Sequence, residues 1–194
     1  MRFGIARQDI VALDLSPANS ARLGKRGFKS ACGDILALPL DDDVADFTIC
    51  NGVIHHTPAP QNAFNEIVRI TKPDGMIFLA VYNRWNPYFY LVHRATAPIR
   101  YVYWRWNRGV LDLIYPFARI LFQPLVYCVM GRFLDAHTGK TLLADQVFTP
   151  YAHLFSKRAI RRYAIQSGCE VLDFDHSGAY MLLTAILRKK PPAP

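Results

Sequence analysis

An acidic residue, a polar pair and two histidines in the first third of the chain are suited to ligand chemistry. Asp14 ends an apolar run before a helix start, where a carboxylate can accept hydrogen bonds from both hydroxyls of a ribose. Asn51 and Gly52 end another apolar run, and glycine lets the backbone approach a ligand closely. The alternative for Asp14 is a negative charge that the helix dipole favours at a helix start.

Two adjacent histidines, His55 and His56, follow this polar pair. One of them can act as a general base, because histidine titrates near neutral pH. The alternative is a structural role at the entry of the next helix. Adjacent histidines cannot easily share one ion and no carboxylate triad accompanies them, so no metal site is expected.

Residues 46–76 read as a strand, a polar strand end, a helix, a tight turn and a second strand. The helix places apolar side chains at helical spacing opposite Glu66 and Arg69. Pro73-Asp74-Gly75 predicts the turn, because proline presets φ and glycine tolerates positive φ. The pattern predicts a unit of an open α/β sheet, in which small molecules bind beyond the carboxyl ends of the strands. The apolar run typical of a strand covered on both faces is Phe47, Ile49 and Cys50.

Four motifs occur in order: Val11-Ala12-Leu13-Asp14-Leu15-Ser16-Pro17, Gly33-Asp34-Ile35-Leu36-Ala37-Leu38-Pro39-Leu40, Cys50-Asn51-Gly52-Val53-Ile54-His55-His56-Thr57-Pro58 and Ile70-Thr71-Lys72-Pro73-Asp74-Gly75. Together they resemble the class I S-adenosylmethionine-dependent methyltransferases, in the branch that includes the ubiquinone/menaquinone biosynthesis methyltransferases. The resemblance is good over residues 1–84 and loose over the C-terminal part.

The resemblance implies a Rossmann-like α/β sheet and S-adenosyl-L-methionine as the cofactor. Asp14 would bind the ribose, and Asp34 would bind the adenine amino group with Ile35 against the ring. Asn51 and Gly52 would line the methionine end. For Asp34 a simple loop carboxylate is the alternative, and the family's retention of histidine before this helix favours a structural role there. The expected cofactor-binding residues are Asp14, Leu15, Asp34, Ile35, Asn51 and Gly52.

The chain departs from the family pattern at its front. A first strand and a glycine-rich loop should precede Asp14, but the sequence contains no Gly-x-Gly. We therefore expect an N-terminally truncated sheet in which both neighbours of the first strand expose unpaired edges, with weak or absent cofactor binding. A fragment or mis-set start, a degenerate gene product and another segment filling the gap are the three explanations.

The composition of the chain changes after residue 84. Aromatic and basic residues interleave after residue 84, and an apolar stretch over 110–134 predicts helix, kinked or divided by Pro116 and Pro124. A membrane span, a helix lying on a membrane and a lid over the catalytic domain are the alternatives. The interleaved residues are Trp85, Tyr88, Phe89, Tyr90, His93, Arg94, Arg100, Tyr101, Tyr103, Trp104, Arg105, Trp106 and Arg108.

The C-terminal part returns to the pattern of a core. Ser156 predicts a helix start, Gly168 its end, and 170–174 and 180–187 two paired strands. The predicted organisation is a partial Rossmann-like core over 1–84, a helical insertion or lid over 85–155, and a completing helix and strands over 156–190. Just before this helix, Tyr151 and His153 join His56 as catalytic candidates that would touch the acceptor, with helix-entry packing as the alternative.

The charge balance indicates an anionic partner. The net charge is +8 and the isoelectric point about 9.5, which suits lipid headgroups or nucleic acid. The four scattered cysteines form no CxxC pair and no signal peptide opens the chain, so we expect a cytoplasmic protein, with peripheral membrane attachment left open. The leading hypothesis is methyl transfer to a small or lipid-like acceptor. The alternatives are an RNA methyltransferase and a non-catalytic, membrane-associated or partner-binding remnant.

Overall fold

The strands of this protein form two separate sheets. The computed structural model describes residues 5–86, 94–105, 109–177 and 181–192. A two-stranded parallel sheet contains β1 (Val11–Asp14) and β2 (Lys29–Cys32), joined by α1 (Pro17–Lys25). The second sheet has four strands in the order β3-β4-β6-β5. This mixed α/β architecture agrees with the fold class expected from the sequence.

The first unit begins and ends as its residues predict. Ser16 caps α1, with its hydroxyl accepting a hydrogen bond from Asn19 N at 3.4 Å, and Pro17 occupies the first helical position. Gly27, at φ +84°, takes the left-handed conformation that ends the helix before β2. The register pairs Asp14 with Cys32, so β1 and β2 end at the same edge.

The four-stranded sheet combines one parallel pair with two antiparallel pairs. β3 (Ala45–Asn51) lies parallel to β4 (Thr71–Tyr82), and α2 (Pro60–Ile70) makes the crossover. β6 (Leu182–Lys189) runs antiparallel to β4 and to β5 (Cys169–Ser177). The predicted late strand pair is therefore present. β6 continues through Lys189, whereas the basic, proline-rich sequence of residues 188–194 predicts a disordered tail.

The main core lies between this sheet and two helices, α2 and α6 (Lys157–Gln166). Phe64 and Ile67 of α2 and Ile160 of α6 are almost completely buried against Leu79 and Leu187 of the sheet. Ser156 caps α6, and Gly168 ends it at φ +70°, as predicted. The buried positions of both helices recur every three or four residues, as one face of a helix requires. Leu79–Tyr82 of β4 and Leu183–Ala185 of β6 are buried at consecutive positions, so both faces of the sheet are covered there.

Two sequence predictions about this sheet are wrong. Phe47 and Ile49 are 49% and 65% exposed, so β3 is not covered on both faces; it is an edge strand, and the described residues cover only the face that carries Cys50. Positive φ in the turn belongs to Asp74, at +61°, rather than to Gly75. Gly75 is needed for space instead, because a Cβ there would lie 2.8 Å from Lys72 O.

Between β4 and α6 the described residues include the helices α3 (Ala97–Arg105), α4 (Val110–Met130) and α5 (Ala136–Val147). The sequence predicts a helix kinked or divided by Pro116 and Pro124; α4 continues through both prolines, so the division does not occur. Among the described residues no helix is long and apolar enough to cross a membrane. The predictions for Tyr88, Phe89, Tyr90, His93, Trp106, Arg108 and Tyr180 lie outside the described residues. A small core of Leu111, Tyr115, Leu143 and Phe148 joins α4 to α5.

Candidate functional site

Two acidic residues lie at the same edge of the first sheet. Asp14 ends β1, and Asp34 follows two residues after Cys32, which pairs with Asp14 in the ladder. The hydrogen bond from Gly33 N to Asp14 O, at 3.1 Å, holds the two strand ends side by side. Parallel pairing therefore places both predicted acidic residues at the edge where α/β sheets bind small molecules.

Short hydrogen bonds orient the Asp14 carboxylate. Its Oδ1 accepts from Ser16 N at 2.8 Å, and both oxygens lie 3.3 Å from Asn19 Nδ2. Because an ionised carboxylate offers about four acceptor positions, Asp14 retains capacity for the hydroxyls of a ligand. The partly exposed position of Asp14 and the 70% exposure of Leu15 leave this strand end open to solvent.

Asp34 and Ile35 form the other side of this edge. Asp34 is exposed, and its Oδ1 accepts a hydrogen bond from Leu36 N at 2.9 Å. Ile35 and Leu36 pack against the main core. The segment that carries Asp34 is therefore anchored to the second sheet, while its carboxylate stays in solvent.

Asn51 and Gly52 lie at the end of β3. Asn51 is exposed and pairs in register with Ala80 of β4, and Gly52 N donates to Ala80 O at 2.9 Å. Gly52 has φ +78°, and a Cβ built on it would meet nothing within 4 Å. The backbone here is open and accessible, which is the arrangement a ligand in close contact with the main chain requires.

His55 is a buried histidine behind this strand end. Its side chain is 1% exposed, and its Nδ1 accepts a hydrogen bond from Tyr82 N at 3.3 Å. The neutral ring therefore carries its hydrogen on Nε2, for which the described residues provide no hydrogen-bond partner. Burial, with the neighbouring His56 and His153, lowers the pKa of His55 to about 3. His55 is thus a neutral packing residue at neutral pH.

Two of the three catalytic candidates, His56 and Tyr151, are in contact. Its Nδ1 lies 2.9 Å from Tyr151 O and 3.0 Å from the hydroxyl of Thr149. The Thr149 hydroxyl itself donates to Tyr151 O, so His56 Nδ1 is the donor to both oxygens. In the neutral ring Nε2 is then the nitrogen that can accept a proton.

His153 ties the loop before α6 to the histidine pair. Its backbone N donates to His55 O at 2.9 Å, and its Nε2 lies 3.0 Å from Thr57 O. Tyr151 is 44% exposed, and its ring is nearly parallel to that of His153 with the centroids 6.4 Å apart. His153 is therefore engaged with the backbone, while Tyr151 presents its ring to solvent.

Sequence reasoning missed two members of this cluster, Thr149 and Tyr82. Thr149 orients His56, and Tyr82 stacks on His55 with ring centroids 3.7 Å apart. Thr149 precedes the predicted candidates Tyr151 and His153 by a few residues, and this position in the sequence is the signal by which it could have been found. Tyr82 closes an apolar strand and carries no such signal.

Comparisons with known proteins agree with this architecture. Residues 2–79 match the family model described as "Methyltransferase domain". An uncharacterized methyltransferase of Mycobacterium leprae is 37% identical over 73 residues, which are 37% of this chain and 26% of that protein. The chain thus spans about a quarter of the length of the curated relatives first matched.

Two solved structures share the fold over most of the chain. An S-adenosylmethionine-dependent methyltransferase from Mesorhizobium loti superposes with a TM-score of 0.57 at 15% identity, covering 95% of this chain and 81% of that one. A Burkholderia thailandensis 1,6-didemethyltoxoflavin-N1-methyltransferase, solved with 1,6-didemethyltoxoflavin and S-adenosylhomocysteine bound, gives 0.52 at 14% identity, covering 93% and 61%. Residues 2–79 are thus similar to a methyltransferase domain, and the chain shares its fold with S-adenosylmethionine-dependent methyltransferases of known structure.

Proposed function

We propose that this protein transfers a methyl group from S-adenosylmethionine to a small or lipid-like acceptor. The observation that carries the proposal is the placement of Asp14 and Asp34 at the same end of one parallel strand pair. Four predicted binding residues from separate motifs lie along this edge, within the part that matches the methyltransferase domain: Asp14, Leu15, Asp34 and Ile35.

The residues present fit this cofactor. Asp14 has acceptor positions left for the ribose hydroxyls, and exposed Asp34 can accept from the adenine amino group with Ile35 beneath the ring. Open space at Gly52 suits the methionine end. When bound, S-adenosylmethionine supplies a methyl group already activated on a sulfonium.

The remaining work of the chain is positioning and proton transfer. Asp14 and Asp34 hold the donor, and Gly52 allows the methionine end to approach the backbone, so the acceptor can be aligned with the methyl group. His56 Nε2 accepts a proton from an acceptor that must lose one, because Nδ1 donates to Tyr151 O and the Thr149 hydroxyl. The exposed Tyr151 ring offers an apolar surface to the acceptor.

The exposed surface of α4 supports a hydrophobic acceptor or a membrane-bound one. Leu113, Phe117, Ile120 and Leu121 recur at spacings of four, three and one along the helix and are 71–81% exposed. This spacing gives a single apolar face. With a net charge of +8, such a face suits attachment to an anionic membrane surface.

Calorimetry with S-adenosylmethionine tests the proposal. We expect saturable binding, abolished in Asp14→Ala and unchanged in the matched control Asp9→Ala, whose carboxylate belongs to the exposed residues 7–9. No binding at millimolar cofactor, or equal binding by Asp14→Ala, contradicts the proposal.

The exposed apolar face of α4 also favours a second candidate, a non-catalytic membrane-associated protein. Flotation with anionic liposomes in the absence of any cofactor binding would support that candidate. A shifted RNA band in a gel, without flotation, would instead support an RNA methyltransferase.

A further inference from the structure

A surface cavity of about 590 Å³ opens beside the carboxyl end of β4. Its volume lies in the range of small-molecule sites. Asn83 and Arg84 directly follow β4, and the first turn of α6 forms the facing side. The lining residues are Asn83, Arg84, Trp85, Ser156, Lys157, Arg158, Arg161, His176 and Leu183.

The cations of this cavity are not neutralised by acidic partners. Arg84, Lys157, Arg158 and Arg161 take part in no ion pair within the described ranges, and no carboxylate lines the cavity there. Elsewhere in the described part of the chain, five cations pair with carboxylates. These pairs are Arg69–Asp42, Arg69–Glu66, Lys72–Asp46, Lys140–Asp112, Arg188–Glu170 and Lys189–Asp43. The cavity is therefore a local excess of positive charge.

The arrangement opposes the preferences of a helix. Lys157 and Arg158 occupy the first two positions of α6, whose first turn contains no acidic residue. Cations are unfavourable at that end of a helix dipole, and Lys157 and Arg161 are like charges four residues apart. A bound anion would offset both the unfavourable interaction with the helix dipole and the repulsion between the like charges. Sequences that oppose local structural preferences in this way are common at functional sites.

Phe174 holds two of these cations near the cavity. Lys157 Nζ and Arg161 Cζ lie 5.5 and 5.2 Å from the centroid of its ring. The nearby β5 carboxylates of Asp173 and Asp175 accept hydrogen bonds from the backbone N of the residue that follows each of them. Lys157 and Arg161 therefore contact an aromatic ring instead of pairing with a carboxylate.

The cavity lies at the same edge of the sheet as Asn51. Asn51 pairs with Ala80, and Asn83 is three residues further along β4, which corresponds to about 10 Å of extended chain. The cavity therefore lies at the edge of the sheet that also carries Asn51 and Gly52 of the proposed transfer site.

We propose that this cavity binds a phosphate group carried by the methyl acceptor. Arginine side chains recognise phosphate oxygens with paired N–H donors, and Lys157 adds a point charge. Exposed Trp85, at 78%, offers an apolar face at the rim for the rest of the acceptor. The inference rests on the proposed function only in naming the phosphate compound as the acceptor.

Titration of the full chain with inorganic phosphate tests the site, with sodium chloride at matched ionic strength as the reference. We expect saturable binding that weakens roughly tenfold or more in Arg84→Gln and in the double variant Lys157→Gln/Arg158→Gln. The matched control is Arg162→Gln, which removes an exposed charge from α6 outside the cavity. Arg84→Gln changes a residue outside the helices, so it keeps the test decisive if the helix variant fails to fold.

Flotation with phosphatidylcholine vesicles, with and without phosphatidic acid, separates the two sources of phosphate. Flotation that requires phosphatidic acid and is lost in Arg84→Gln assigns a lipid headgroup; phosphate binding without flotation assigns a soluble phosphate ester. Equal phosphate binding by Arg84→Gln and Arg162→Gln overturns the proposal, as does cavity-dependent binding of RNA without phosphate binding. A separate titration with S-adenosylmethionine distinguishes failure of the two proposals. Phosphate binding without cofactor binding contradicts the proposed function and still supports a phosphate site in the cavity.

Discussion

The imidazole of His55 lies against the ring of Tyr82, with centroids 3.7 Å apart and an interplanar angle of 24°, and Tyr82 N donates to His55 Nδ1. This contact joins the turn after β3 to the end of β4. It holds the histidine neutral, because burial lowers its pKa to about 3 and protonation would remove the acceptor that Tyr82 N uses.

The stability of the protein should therefore fall in acid. The folded pKa of His55 lies below the ordinary value of 6.5, so the unfolded state binds more protons between these two values. The contribution of His55 is complete above about pH 6.5 and is lost progressively towards pH 3, by about 2 kcal/mol between pH 7 and pH 5. Urea unfolding at both pH values measures it. His55→Gln should flatten this dependence and the exposed control His137→Gln should retain it; an equal slope in all three proteins contradicts the prediction.

Arg69→Gln should destabilise the fold by about 2–3 kcal/mol. Its guanidinium pairs bidentately with Glu66, with N–O distances of 2.8 and 2.9 Å, and donates to Leu38 O and Leu40 O. The pairing lowers the pKa of Glu66. Lys72→Gln, which breaks the far more exposed pair with Asp46, should change the free energy of unfolding by less than about 1 kcal/mol. Similar losses in the two variants would show that Arg69 acts as an ordinary surface charge.

Two glycine-to-alanine variants should lower the free energy of unfolding by different amounts and for different reasons. Gly75→Ala places a methyl group 2.8 Å from Lys72 O, so backbone must shift, and we expect a loss of about 2–3 kcal/mol. Gly27→Ala meets no neighbour within 4 Å but keeps φ at +84°, and we expect about 1 kcal/mol from that backbone strain. Thermal unfolding of both variants checks the order, and a larger loss for Gly27→Ala would reverse it.

In an assay of methyl transfer, His56→Gln should lower kcat by about a hundredfold or more, with a smaller change in KM, because it removes the proposed proton acceptor. Thr149→Val should act in the same direction but less, because Tyr151 O still accepts from His56 Nδ1. An unchanged kcat in His56→Gln would assign His56 a purely structural role.

Local signals in the sequence predicted much of the fold. The caps at Ser16 and Ser156 and the glycines at 27 and 168 were recognisable because each is satisfied by neighbours within a few residues. The exposure of Ile49 was not, since it depends on which strands and helices cover β3. The unbroken helix through Pro116 likewise depends on tertiary packing, for its neighbour Tyr115 is anchored in the core with Leu143.

In the candidate site, too, the features set by local sequence could be predicted and those set by tertiary contacts could not. Asp14 and Asp34 could be predicted because Asp14 ends β1 and Asp34 follows the end of β2 by two residues, and parallel pairing brings strand ends together. The contact between Thr149 and His56 joins residues 93 positions apart, and no local pattern specifies it. The cations of α6 were visible as a run of charges, but their common cavity with Arg84 depends on the position of β4.

The division into two sheets has a consequence for local unfolding. Every fully buried member of the main core lies at or after Cys50, and β1, α1 and β2 are held mainly by contacts among themselves. Segments with few buried long-range contacts open at lower free energy than the core. Amide hydrogens of β1 and β2 should therefore exchange before those of β4 and β6, so a ligand held by Asp14 and Asp34 would slow exchange most in the part of the chain that opens most readily.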